Sequence, residues 1–66
     1  MRVTVNGDVR DCGEDLTVAG LLETLEMGSR PCAVEVNRRI VPRRNHPDHG
    51  LEDGDTIEIV TLVGGG

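Results

Sequence analysis

The sequence predicts an α+β fold, a mixed sheet with one helix packed against one face. Three observations predict it. Short runs of alternating apolar and polar residues occur near both ends and in the middle of the chain. One stretch, residues 17 to 27, carries its apolar residues at helical spacing instead. The resulting order is strand, strand, helix, strand, short strand, long strand. A hairpin that crosses one helix and returns to the sheet leaves that helix on a single face.

Each element follows from local pattern. Val3 and Val5 point one way and Arg2, Thr4 and Asn6 the other, as in a half-buried strand. Asn6-Gly7 is a strong hairpin signal, because both residues tolerate positive φ. Asp8 to Asp11 is then an antiparallel return strand with Val9 as its one large apolar residue, a weak edge. In the helix, Val18, Leu21, Leu22 and Leu25 fall at i, i+3, i+4 and i+7 and form one stripe. Glu23 and Glu26 sit off it. Thr17 suits the N-cap, Leu16 and Leu21 suit a hydrophobic staple, and Gly28 suits the left-handed position after the helix. Gly20 inside the helix costs about 1 kcal/mol relative to Ala. Close approach of helix to sheet is its expected reason.

Ala33 to Asn37 alternates again, with Val34 and Val36 on one side. Ile40-Val41 is a short apolar run closed by Pro42, which belongs at an edge or an end. Residues 43 to 50 read as a polar loop, Leu51 as an isolated apolar plug and Asp53-Gly54 as a turn. Thr56 to Val63 is the longest strand. Ile57, Ile59 and Thr61 face one side, and Glu58, Val60 and Leu62 the other. If this strand lies beside the first, it is parallel to it and central. The expected organisation is one domain, residues 1–63, followed by a glycine tail, residues 64–66.

Composition narrows the function classes. A chain of 66 residues buries only about 60% of its unfolded surface. That leaves little room for an enclosed active site and favours a carrier or binding module over a free-standing enzyme. Seven basic residues against twelve acidic give a net charge of −5, the wrong sign for a nucleic-acid binder. No aromatic residue is available to stack on bases. Five of the seven basic residues lie between Arg30 and Arg44, which reads either as a solvated loop or as a local docking patch. All seven are arginine, so no side chain here can accept an isopeptide-linked copy of the chain. Cys12 and Cys32 fit neither a redox pair nor a zinc pattern. His46, Asp48 and His49 sit in a loop broken by Pro47, where a metal site would want a rigid element and further ligands. No nucleophile–base pair can be assembled from these residues. The strand pattern begins at once after Met1, so no signal peptide is expected. No apolar run approaches the ~20 residues of a membrane span. A cytoplasmic protein with neither nucleic acid nor membrane as partner is expected.

The residues that carry chemistry are the last ones. Three consecutive glycines, Gly64-Gly65-Gly66, follow the long strand without a polar linker. At the usual ~7% glycine, chance gives such a run at a fixed place a few times in ten thousand. A glycine tail has no side chains to clash in a narrow channel, and three extended residues reach about 10 Å. A terminal carboxylate could thus enter another protein's active site while the folded body stays outside. That carboxylate, with a pKa of about 3.5, is ionised at neutral pH and is a poor electrophile. It accepts a new group only once its oxygen has become a leaving group, as adenylation makes it. The chain has no phosphate loop for that task, so an ATP-using partner is implied.

In this outline the chain resembles the ubiquitin-like β-grasp proteins, and among them the ThiS/MoaD family, most of all the ThiS-type sulfur carriers of thiamine biosynthesis. The residues that carry the resemblance open with Val3-Thr4-Val5-Asn6-Gly7, Thr17-Val18 and Leu21-Leu22. They continue with Ala33-Val34-Glu35-Val36-Asn37, Ile40-Val41-Pro42-Arg43 and Leu51 through Asp53-Gly54-Asp55. Ile57-Glu58-Ile59-Val60 and Val63-Gly64-Gly65-Gly66 complete them. The resemblance implies that an E1-like adenylating enzyme (ThiF) converts the Gly66 carboxylate to an acyl-adenylate. It implies that a cysteine desulfurase route supplies sulfur to give a thiocarboxylate, and that thiazole synthase (ThiG) draws the sulfur from it. The chain itself would bind no cofactor and catalyse nothing, with ATP used by its partner. Gly64 and Gly65 would thread into the partners' sites, and Val60, Leu62 and Val63 would form the docking surface. Arg38-Arg39 stands where such proteins often carry Gly in a tight turn, which places the turn's conformation in question. The alternatives are a carrier of the molybdopterin-synthase small-subunit type, a one-copy modifier joined through Gly66 to a target lysine, and an interaction module with an idle tail.

Overall fold

The computed structural model describes residues 1–62. Strands β1 (Arg2–Val5) and β2 (Asp8–Asp11) precede the helix α1 (Val18–Thr24). Strands β3 (Cys32–Val36) and β4 (Arg39–Val41), a single 3-10 turn (Arg43–Asn45) and strand β5 (Thr56–Thr61) follow it. The sheet order is β2-β1-β5-β3-β4. β5 lies beside β1 and parallel to it, and antiparallel to β3, so the condition for a central last strand is met. This is the β-grasp arrangement.

Alternation decides what is buried. Val3, Val5, Val34, Val36, Val41, Ile57 and Ile59 point from the sheet into the core, and Val18, Leu21 and Leu22 meet them from the helix. Leu51 closes the core from the loop. Its N–H donates to the Leu16 carbonyl at 2.8 Å, which ties the loop to the residue before the helix cap. Thr17 is that cap, accepting from the Gly20 N–H at 3.1 Å.

Several local expectations are corrected. The helix stops at Thr24, three residues before the end of the apolar pattern. Glu26, not Gly28, takes the left-handed position after the helix, with φ 60°. The Met27 N–H bonds the Leu22 carbonyl at 2.8 Å and the Glu26 N–H bonds the Glu23 carbonyl at 3.0 Å. Those two bonds form a Schellman closure built on glutamate. Gly20 is not a point of helix–sheet approach. A Cβ there would meet Leu16 Cδ1 at 2.9 Å, so the glycine makes room for the side chain that precedes the cap. The segment 43–50 is less polar in place than in sequence. His46 is buried, with Nε2 3.1 Å from the Val41 carbonyl oxygen. β5 ends at Thr61, and Val63, once expected to end it, lies outside the described residues.

The two tight hairpins share one geometry. Asn6 and Gly7 have φ of 48° and 88°, while Asn37 and Arg38 have 51° and 71°. Both turns therefore take the primed form that suits strand twist. Arg38 holds a left-handed conformation without the freedom of glycine.

Candidate functional site

The site is built where β5 leaves the sheet. β1 meets β5 only at Thr4 opposite Thr56 and Val5 opposite Ile57, then turns away at Asn6-Gly7. The Asn6 side chain extends that pairing by one step, accepting from the Ile59 N–H at 2.7 Å and donating to the Ile59 carbonyl at 3.1 Å. Beyond Ile59, among the described residues, β5 is paired on its β3 side alone, Ala33 opposite Val60 and Cys32 opposite Thr61. The Leu62 N–H then donates to the Pro31 carbonyl at 3.0 Å. Arg30, Pro31, Thr61 and Leu62 line a shallow notch at this root.

The sequence-derived docking residues Val60 and Leu62 fall together on the face opposite the helix. They are 59% and 52% exposed, too open to belong to the core. Ala33 faces Val60 across the strands, and Ile40, at 70% exposure, lies on the same face beside Glu35. Glu35 and Glu58 stand directly opposite each other on that face, a like-charged pair that works against the sheet. Val63, Gly64, Gly65 and Gly66 lie outside the described residues.

The other candidates are not brought together. Cys12 follows the edge strand β2, and Cys32 opens β3, with β1 and β5 between them. At about 4.8 Å per strand spacing they are too far apart for a disulfide. His49 is half-buried and its carbonyl accepts from the Val18 N–H at 2.9 Å. His46 packs inward, and the groove it shares with Ala19, Leu22 and Arg43 lies between helix and loop. No group of three metal-ligating side chains occurs among the described residues. No helix there is long and apolar enough to cross a membrane.

Sequence reading placed Arg30 only within an arginine-rich stretch read as solvated loop or docking patch, and did not mark Pro31, Ala33 or Ile40 as members of this surface. Ile40 and Ala33 were within reach of it, since each alternates with a buried neighbour, Val41 and Val34. Arg30 and Pro31 were not, because only the register of β3 on β5 places them beside Leu62.

With this geometry in hand, comparison with known proteins is direct. The ThiS family model matches residues 3–66. The sulfur carrier protein ThiS of Escherichia coli (strain K12) is 33% identical over 66 residues, all of both chains. A thiazole synthase of Paramagnetospirillum magneticum is 41% identical over the whole of this chain, which spans only 20% of that relative's length. The crystal structure of the thiamine biosynthesis protein ThiS from Geobacter metallireducens superposes with a TM-score of 0.85 at 32% identity, covering 100% of each chain. A central strand that outruns its parallel neighbour, an open apolar face at its end and a sequence match that runs on through the glycines make this chain a member of the ThiS family of sulfur carriers.

Proposed function

We propose that the chain carries sulfur on the Gly66 carboxylate for thiazole formation in thiamine biosynthesis. The observation that carries the reading is the position of β5. The central strand delivers the chain to Leu62 at the edge of an exposed apolar patch, with four residues, Val63-Gly64-Gly65-Gly66, still to follow. A folded body is thus followed by a short segment that is mostly free of side chains.

The chemistry then follows from the weakness of a carboxylate as an electrophile. An adenylating enzyme of the ThiF type joins the Gly66 carboxylate oxygen to the α-phosphorus of ATP, and pyrophosphate leaves. A desulfurase moves sulfur from cysteine onto a thiol as a persulfide, whose terminal sulfur attacks the acyl carbon. The C–S bond forms, the C–O bond to AMP breaks, and AMP departs, leaving an acyl disulfide. A second thiol attacks the outer sulfur of that disulfide, so the S–S bond to the acyl sulfur breaks, the two thiol sulfurs end joined as a disulfide, and the thiocarboxylate is released. The thiocarboxylate is a better nucleophile than the carboxylate and hands its sulfur to a thiazole synthase of the ThiG type. The carrier supplies no catalytic group and binds no cofactor. It works in the cytoplasm with its ATP-using partner. Support for the thiazole branch comes from the thiazole synthase relative that holds a stretch similar to this whole chain. A carrier-like stretch on the same polypeptide as a thiazole synthase would have a high effective concentration for it, which supports a meeting of the two in the reaction.

Intact-protein mass spectrometry of the chain from its native cells tests this. A fraction heavier by one oxygen-to-sulfur exchange, confined to the C-terminal peptide, is expected. Finding the chain only as amide conjugates to other proteins would overturn it.

A further inference from the structure

We infer that Arg30 is a docking residue that pairs with a carboxylate on the rim of the adenylating enzyme's tail channel. The inference rests on the carrier reading above and goes beyond it in naming the contact. Its first premise is length. Four residues beyond Leu62 span at most about 14 Å when fully extended. An acyl-adenylate must form away from bulk water, so the reacting carboxylate sits inside the enzyme. With so short a reach, the root of the tail is pressed against the rim.

What lies at the root is therefore what the rim touches. Leu62 and Val60 supply apolar area, and Pro31 is bonded to Leu62 through its carbonyl. Arg30 is the one charged side chain lining the notch there. It is exposed, and among the described residues it makes no ion pair. The surrounding chain does not explain it. The segment from Arg30 to Arg44 holds five arginines against one acid, Glu35, while the rest of the chain holds eleven acids against two arginines. A guanidinium trapped at an interface without an acceptor is a desolvated, unpaired charge, which is costly. The rim that accepts this root therefore offers a carboxylate, whose two oxygens suit the arginine fork. Such a pair also steers the encounter, since charge complementarity acts on the rate of association.

Steady-state ATP–pyrophosphate exchange by the adenylating enzyme, with this chain as the varied substrate, tests the contact at low and high salt. Arg30→Glu is expected to raise KM about tenfold or more while kcat stays within about twofold, because the chemistry at Gly66 is untouched. Arg30→Lys is expected to keep most of the affinity by retaining the charge. The wild-type KM should rise with salt, and that of Arg30→Glu should not. Thermal unfolding should be unchanged in both variants, since the side chain is exposed. An Arg30→Glu chain with wild-type KM and wild-type salt dependence would overturn the inference. A wild-type chain that supports no exchange at all would instead sink the carrier reading, so the two failures are distinct.

Discussion

The two ends of β5 differ in how they are held. At the start, Thr56 donates to Asn37 Oδ1 at 2.9 Å and accepts from the Asn37 N–H at 2.7 Å. Asn37 also donates to Asp55 Oδ1 at 2.8 Å, and Asp55 Oδ2 accepts from the Glu52 N–H at 2.8 Å. The turn before the strand, the turn after β3 and the strand itself are thereby locked together. At the finish, among the described residues, β5 keeps a partner on one side only and presents Val60 and Leu62 outward. The difference separates two tasks along one strand. One end is tied to both neighbouring turns, and the other leaves apolar side chains exposed.

Substitutions in the held part of β5 and at its open end should therefore have opposite signatures. The largest stability effect is expected at the boundary between the two, at Asn6, whose amide satisfies both backbone groups of Ile59 where β1 has turned away. Asn6→Ala should cost about 1–3 kcal/mol, read as a lower urea midpoint at an unchanged m-value. A loss well below that range would mean water replaces the amide without cost. Next is the hairpin at Asn37-Arg38. A left-handed non-glycine residue costs about 1–2 kcal/mol, and glycine gives back part of that gain through its own entropy. Arg38→Gly should raise stability by about 0.5–1 kcal/mol, again by urea unfolding, and a destabilised variant would show that the turn needs the arginine. The smallest stability effect is expected at the open end. Leu62→Ser should shift stability by no more than about 0.5 kcal/mol, yet weaken association with the adenylating enzyme measured by calorimetry. Large destabilisation there would mean that Leu62 belongs to the core.

Much of this was legible in the sequence, because period-two alternation reports directly on which side chains meet the core. Val34 and Val36, Ile57 and Ile59, and the outward Val60 and Leu62 all follow from it. The helix end was not legible. Gly28 carried the usual stop signal, but Glu26 closes the helix two residues earlier, held there by bonds to Leu22 and Glu23 that only the folded turn provides. The burial of His46 was hidden for a related reason, since its polar neighbours Asn45 and Asp48 mark a loop, and only tertiary packing turns that one ring inward. The arginine-rich stretch from Arg30 to Arg44 was legible as a candidate docking patch, but that Arg30 stands at the root of the tail was not, because nothing local links position 30 to position 62. The pairing of Cys32 with Thr61 does so.

In the proposed carrier the folded body holds out a short glycine segment and the Gly66 carboxylate is the working group. Removing Gly65 and Gly66, with unfolding and ATP–pyrophosphate exchange both measured, separates the body from that group. An unfolding transition indistinguishable from that of the full chain is expected, together with complete loss of exchange. Exchange that persists in the shortened chain would show that the working group lies elsewhere.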